Sequence, residues 1–119
     1  MTRAARSILV FGVYLVAAGS ILFTVPNTLL ALLRLAPTTE PWIRILGMQV
    51  AIMGALHITA ARGEVVSFFR ATLWGRATVL VGLAFLILLQ LAPPVLIAFG
   101  IVDAAGAMWT RAALRAGAA

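Results

Sequence analysis

Three carboxylates, one imidazole, nine guanidinium groups and no thiol make up the chemistry-bearing inventory of this 119-residue chain. Glu40 and Glu64 stand in short polar turns, whereas Asp103 stands inside FGIVDAAGAMWTR (99–111), a run otherwise made of apolar residues and glycines. General acid/base chemistry asks for titrating groups within one site, and these three fall in separate segments. His57 is the single histidine, so a two-histidine haem or a histidine-rich metal site would have to borrow ligands from another copy. The absence of cysteine removes disulfides, thiolate metal sites and cysteine nucleophiles. Ser67, in GEVVSFFR, has no base beside it and reads as a helix cap. No glycine-rich phosphate loop occurs, and Met48, Met53 and Met108 read as packing residues. The expectation is a protein with no catalytic residue, no metal and no cofactor, acting by binding.

Composition says what must hold these groups in place. Hydrophobic residues make up 64% of the chain and charged ones 10%, with a mean hydropathy of +1.14. That is more apolar surface than one small water-soluble core can hide. The chain therefore reads as an integral membrane protein, a single transmembrane domain over residues 1–119. At about 20 apolar residues per crossing it has room for roughly four spans. A net charge of +6 would, in a soluble protein, raise the question of nucleic acid. Here the arginines flank apolar runs and read as topology signals, so no nucleic-acid partner is expected.

The first span is expected at about 7–25 (SILVFGVYLVAAGSILFTV), stopped by Pro26 and Asn27. Its apolar run outlasts a signal-peptide core, so it is expected to be retained. The segment TLLALLRLAP is too short to cross and carries Arg34, which points to a short interfacial helix at about 28–36. Further spans are expected at about 42–61, 72–91 and 94–110, the last opened by the prolines of LAPP. The fold class is all-α: a membrane four-helix bundle with that one interfacial helix. Four crossings collect Arg3, Arg6, Arg62, Arg70, Arg76, Arg111 and Arg115 on one side, against Arg34 and Arg44 on the other. The positive-inside rule then puts both termini in the cytoplasm. Trp74 and Trp109 near that face, and Trp42 near the opposite one, fit interfacial anchors. No internal repeat of a transporter kind is present.

On the last span, Gly100, Asp103, Ala104, Gly106, Ala107 and Thr110 gather on one side at a period of 3.6 residues. Helices in lipid approach one another through such small faces, so Asp103 is expected to point into the bundle. The second span carries a matching stripe of Arg44, Gly47, Ala51, Ala55 and Thr59, which makes it the expected neighbour. Gln49, Met53 and His57 lie on a different side, toward the remaining helices or a second copy, and Tyr14 lies between Gly12 and Gly19. Asp103 lies roughly 13 Å from the outer end of its span. At that depth an ionised carboxylate costs about 2.5 to 3.5 kcal/mol, so it must be paired, hydrogen-bonded or protonated. Three readings stay open. One is a register-fixing ion pair, with Arg44 ahead of Arg76; another is a polar site for a proton or a lipid-like ligand, lined by Asp103 with Arg44, Arg76, Gln49, Tyr14 and His57; the third is a contact within an oligomer.

The segments WIRILG opening the second span, LWGR entering the third, LAPP before the fourth and GIVDAAGAMW within it resemble small bacterial four-helix membrane proteins. The resemblance is to the DoxX-like and DUF4345-like families, over most of the chain from Trp42 onward. It implies a bundle in the bacterial inner membrane and puts Arg44, Gly47, Arg76 and Asp103 at recurring polar and glycine positions. It implies no catalytic residue, although some DoxX-type proteins are subunits of quinone-linked oxidoreductases. A small-multidrug-type exporter is similar in length but keeps its acid in the first span, where this chain has none.

The leading expectation is a non-enzymatic membrane module that binds a hydrophobic ligand or a partner subunit within the bilayer, through the small faces of the second and fourth spans. Its expected partners are membrane lipid, a hydrophobic small molecule or quinone, and a second copy or another membrane protein. The alternatives are a dimeric proton-coupled transporter in which Asp103 titrates, and a membrane subunit of a quinone-linked oxidoreductase. The topology is directly testable. Reporter fusions should give an external signal at Ala92 and a cytoplasmic signal at the C-terminus, and a cytoplasmic signal at Ala92 would overturn the arrangement.

Overall fold

The computed structural model describes residues 1–118, the side chain of residue 118 excepted. Its elements are α1 (Arg3–Thr24), α2 (Pro26–Leu32), α3 (Trp42–Arg62), α4 (Val66–Leu88) and α5 (Ile97–Ala118), the last entered through a 3₁₀ turn at Pro94–Leu96. The protein is all-α, and α1, α3, α4 and α5 are long and apolar enough to cross a membrane. Helices are what such a composition requires, because a hydrocarbon layer offers backbone N–H and C=O groups no partner but one another.

Helix ends depart from the limits of the apolar runs. Helix α4 opens at Val66 and closes at Leu88, not at 72 and 91; α5 continues to Ala118, well past 110; α2 occupies Pro26–Leu32 and not 28–36. The reason is general: SFFRAT and RAALRAG carry arginines that end an apolar run, yet their backbones gain by continuing the hydrogen-bond ladder of the adjoining helical turn. Ser67 accordingly lies inside the first turn of α4, and the cap position belongs to Val65. Pro26 has no N–H to extend α1 and instead starts α2, where the missing donor costs nothing.

The described chain forms two compact units, Leu9–Thr59 and Met1–Ile8 with the residues from Ala60 onward. In the first unit, α1 and α3 meet backbone to backbone at two pairs of glycines. A Cβ on Gly54 would stand 2.6 Å from Gly12 O and Val16 N, and one on Gly47 would stand 2.5 Å from Phe23 N and 2.6 Å from Gly19 O. The stripe expected on α3 is therefore corrected in partner and in phase. Gly47 and Ala51 do meet a helix, but that helix is α1, while Ala55 and Thr59 are exposed and Gly54 and His57 take the buried places. The two close glycines of α3, Gly47 and Gly54, are seven residues apart and face Gly19 and Gly12, also seven apart, a heptad spacing that keeps one face on its partner; a stripe continued in steps of four rotates off it. Beyond α2, the Asn27 side chain pairs with the Thr38 backbone, donating to its carbonyl at 3.1 Å and accepting from its N–H at 2.9 Å. That pairing fixes the loop leading to α3.

In the second unit, α5 lies along α4, and Gly100 is its close-approach point, where a Cβ would sit 3.0 Å from Leu80 Cα. The small face of α5 thus turns to α4, with Gly106 and Ala107 half-buried.

Three helices end in the same way. Leu35 N–H bonds to Leu30 O, Val65 N–H to Ala60 O and Leu91 N–H to Leu86 O, with the preceding residue in the left-handed region: Arg34 (φ 58°), Glu64 (φ 52°) and Gln90 (φ 61°). This is the Schellman end, usually built on glycine. A side chain there costs on the order of 1 kcal/mol. Replacing Gln90→Gly is expected to raise stability by about 1 kcal/mol, read as a shift in the unfolding midpoint in mild detergent. Glu64→Gly is expected to give no such gain, because Glu64 also serves as a hydrogen-bond acceptor; equal gains at both positions would contradict that role.

Candidate functional site

The polar centre of the second unit is Arg76, which is 3% exposed although it carries a full charge. Thr72 lies one turn earlier on the same face of α4. Arg76 Nε donates to Thr72 O at 3.3 Å, and Nη2 donates to Thr72 Oγ1 at 2.9 Å and to Thr110 Oγ1 on α5 at 3.0 Å. Thr110 in turn lies 2.7 Å from Ser7 Oγ on α1, and Ser7 donates to Ala4 O at 2.7 Å. A hydroxyl has one proton. With Ser7 giving its proton to a carbonyl, which can only accept, Thr110 must donate to Ser7. The chain therefore runs one way, from Arg76 through Thr110 and Ser7 to the α1 backbone. Thr72 closes the other branch by donating to Phe69 O at 2.8 Å. Ala5, Ile8, Ala61, Phe69 and Ala113 of the same unit are also buried.

Asp103 lies on α5 seven residues before Thr110, roughly 10 Å along the helix axis. It is half-buried and is coupled to Arg76 by charge. The structure thus brings two of the expected polar residues into one electrostatic environment. The expected preference for Arg44 over Arg76 is corrected. Arg44 is exposed, and its Nη1 donates to Phe23 O at 2.7 Å and Thr24 O at 3.0 Å. Those carbonyls belong to the last turn of α1, where no further helical N–H is available and the helix dipole is negative, so a cation is stabilising there.

His57 and Tyr14 belong to the first unit, joined through Phe11. The Phe11 ring lies 5.7 Å from that of Tyr14 and 5.4 Å from that of His57. His57 is 4% exposed, and its Nδ1 lies 2.8 Å from Met53 O. A carbonyl only accepts, so Nδ1 carries the proton and donates. Gln49 is exposed on α3.

At one end of the second unit, Glu64 clasps the start of α1. Thr2 N–H donates to Glu64 Oε1 at 2.9 Å and Thr2 Oγ1 donates to Oε2 at 2.8 Å, while Thr2 Oγ1 accepts from Ala5 N–H at 3.1 Å as a helix cap. The backbone and side-chain donors of Thr2 hold the Glu64 carboxyl below its ordinary pKa.

Sequence reasoning singled out Arg76 but not its ligands Thr72 and Ser7. The four-residue spacing of Thr72 and Arg76 on one helix was readable; the meeting of Ser7 with Thr110, 103 residues apart, was not. Chemically, the network solvates a buried guanidinium. Ser7's proton is committed to a backbone carbonyl, so its hydroxyl serves the network as an acceptor for Thr110.

Thr110→Val is expected to cost about 2 to 3 kcal/mol, because it removes an acceptor from a buried charge. In an Arg76→Met background the same change should cost at least about 1 kcal/mol less, since no charge then needs that acceptor. Strict additivity of the two substitutions in detergent unfolding would show that the hydroxyl does not serve the guanidinium.

The chain matches no protein-family model, no curated protein and no solved structure, so the function of the site rests on its own geometry.

Proposed function

We propose that the protein is a non-enzymatic association module of the membrane, which binds a partner helix within the bilayer, in the first instance α4 of a second copy. The observation that carries this reading is a contrast among glycines. Gly12, Gly19, Gly47, Gly54 and Gly100 each press against a neighbouring helix, whereas Gly75 and Gly82 on α4 have nothing within 4 Å of an added Cβ. Gly75 and Gly82 are seven residues apart, as are Gly12 and Gly19, and Gly47 and Gly54. The spacing that joins α1 to α3 is thus repeated on α4 at two positions where, among the described residues, nothing lies within 4 Å of an added Cβ. Small faces are how helices pair where lipid removes the hydrophobic drive, and two copies meeting at one self-complementary face close a two-fold dimer. Around these glycines the helix is open: Trp74 is 80% exposed, Val81 67% and Phe85 61%.

The resemblance to DoxX-like proteins supports a bacterial inner membrane, and the distribution of arginines supports both termini being cytoplasmic. The clasp of Thr2 on Glu64 brings the chain start beside the turn after α3, so Arg3, Arg6 and Arg62 belong to one end of that unit. A competing reading, proton-coupled transport through Asp103, draws on its half-buried place near the charge of Arg76.

Gly75→Leu and Gly82→Leu are each expected to weaken self-association by about tenfold or more, the equivalent of 1.4 kcal/mol, in sedimentation or native mass measurements in mild detergent. Monomer stability should be unchanged, because nothing stands in the added side chain's way. A wild-type protein that stays monomeric at all concentrations in detergent and in bilayer nanodiscs would remove the reading.

A further inference from the structure

A shallow groove of about 230 Å³ opens on the first unit between α1 and α3, lined by Ser20, Phe23, Thr24, Met48, Ala51 and Ile52. It begins one turn below Arg44 and extends inward to Ile52, so cation and groove together cover roughly 12 Å of helix. Arg44 stands at its mouth, because the two carbonyls that receive its Nη1 belong to Phe23 and Thr24, which themselves line the groove. Only one of the guanidinium nitrogens is spent on those carbonyls. The side chain is exposed, with Nε and Nη2 left as a second hydrogen-bonding edge. Trp42, 70% exposed, flanks the same end of α3, where the positive end of the helix dipole lies.

We infer that this is a binding site for one anionic phospholipid, with the phosphate on Arg44 and the upper part of an acyl chain in the groove. The volume decides for a chain segment over an enclosed small molecule, since sites that engulf a ligand run to about 300 to 1,000 Å³. The wall is apolar apart from the hydroxyls of Ser20 and Thr24, and Thr24 has already turned its own onto the backbone, donating to Ser20 O at 2.7 Å. The fork of arginine suits phosphate in a way a point charge does not. An exposed tryptophan two residues before the cation suits a headgroup-level anchor. The phosphate therefore meets charge and hydrogen-bond donors at the interface, and the chain meets apolar wall below them. This site lies on α1 and α3 and is independent of the association proposed for α4.

The test uses the full chain, purified in mild detergent, stripped of lipid, and offered dioleoyl phosphatidylglycerol or dioleoyl phosphatidylcholine before native mass measurement. One phosphatidylglycerol should be retained, about tenfold more strongly than phosphatidylcholine, whose choline ammonium offsets the phosphate charge that Arg44 meets. Arg44→Gln should abolish that preference. Met48→Trp, which fills the groove from its exposed side and leaves Arg44 in place, should lower retention of both lipids; it keeps the test decisive if loss of Arg44 disturbs the end of α1. Arg34→Gln should retain the lipid as the wild type does. Equal retention of the two lipids, retention unchanged by Met48→Trp, or displacement by inorganic phosphate alone would each overturn the site.

Discussion

A charged guanidinium held at 3% exposure among apolar side chains is the constraint around which the second unit is organised. Such a charge is tolerable only where acceptors surround it. Thr72 and Thr110 supply those acceptors from α4 and α5, and Ser7 extends the network to α1. Satisfying one side chain therefore fixes three helices in register. The one-way run of donors, ending on Ala4 O, makes the network a tie between segments far apart in the chain. Asp103, further along α5, interacts electrostatically with the same guanidinium.

Where no charge demands company, backbone proximity holds helices together. Lipid tails are as apolar as leucine, so burying leucine gains little and dispersion between closely approaching surfaces gains more. The meeting of α1 with α3 follows from this. Gly12 faces Gly54 and Gly19 faces Gly47 at distances that admit no methyl group, so contact runs along two full turns. The large apolar residues are left outside, which is where a bilayer wants them. Exposed Leu32, Val81 and Leu88 would be a liability in water and are ordinary in hydrocarbon.

The water-facing ends use a different currency, hydrogen bonds to helix termini. Arg44 caps the carbonyl end of α1, and Thr2 and Glu64 secure its amino end. Glu64 does this from a left-handed backbone position that glycine would occupy more cheaply, and Gly63 stands right beside it. The acid is there because a glycine has no carboxylate to offer Thr2. A single turn thus ends α3 and holds the start of α1.

By itself, the sequence determined the class, the count of spans, the short helix after the first, and the inward turn of the small face of α5. Each of these follows from composition and local periodicity, which are properties of neighbouring residues. Arg76 and Asp103 were also legible, because an ionisable residue in an apolar run is conspicuous wherever it lands. Only the tertiary structure decided which faces meet. The stripe on α3 matched the small face of α5 as well as it matched Gly12 and Gly19 on α1, since small-residue faces are alike and say nothing of their partner. Arg44 looked free to reach Asp103 until the C-terminal carbonyls of α1 claimed it. Ser7 was unremarkable in RSILV until folding carried it to Thr110. A partner is chosen by distance in space, and a chain that doubles back through a bilayer sets such distances only when all its helices are in place.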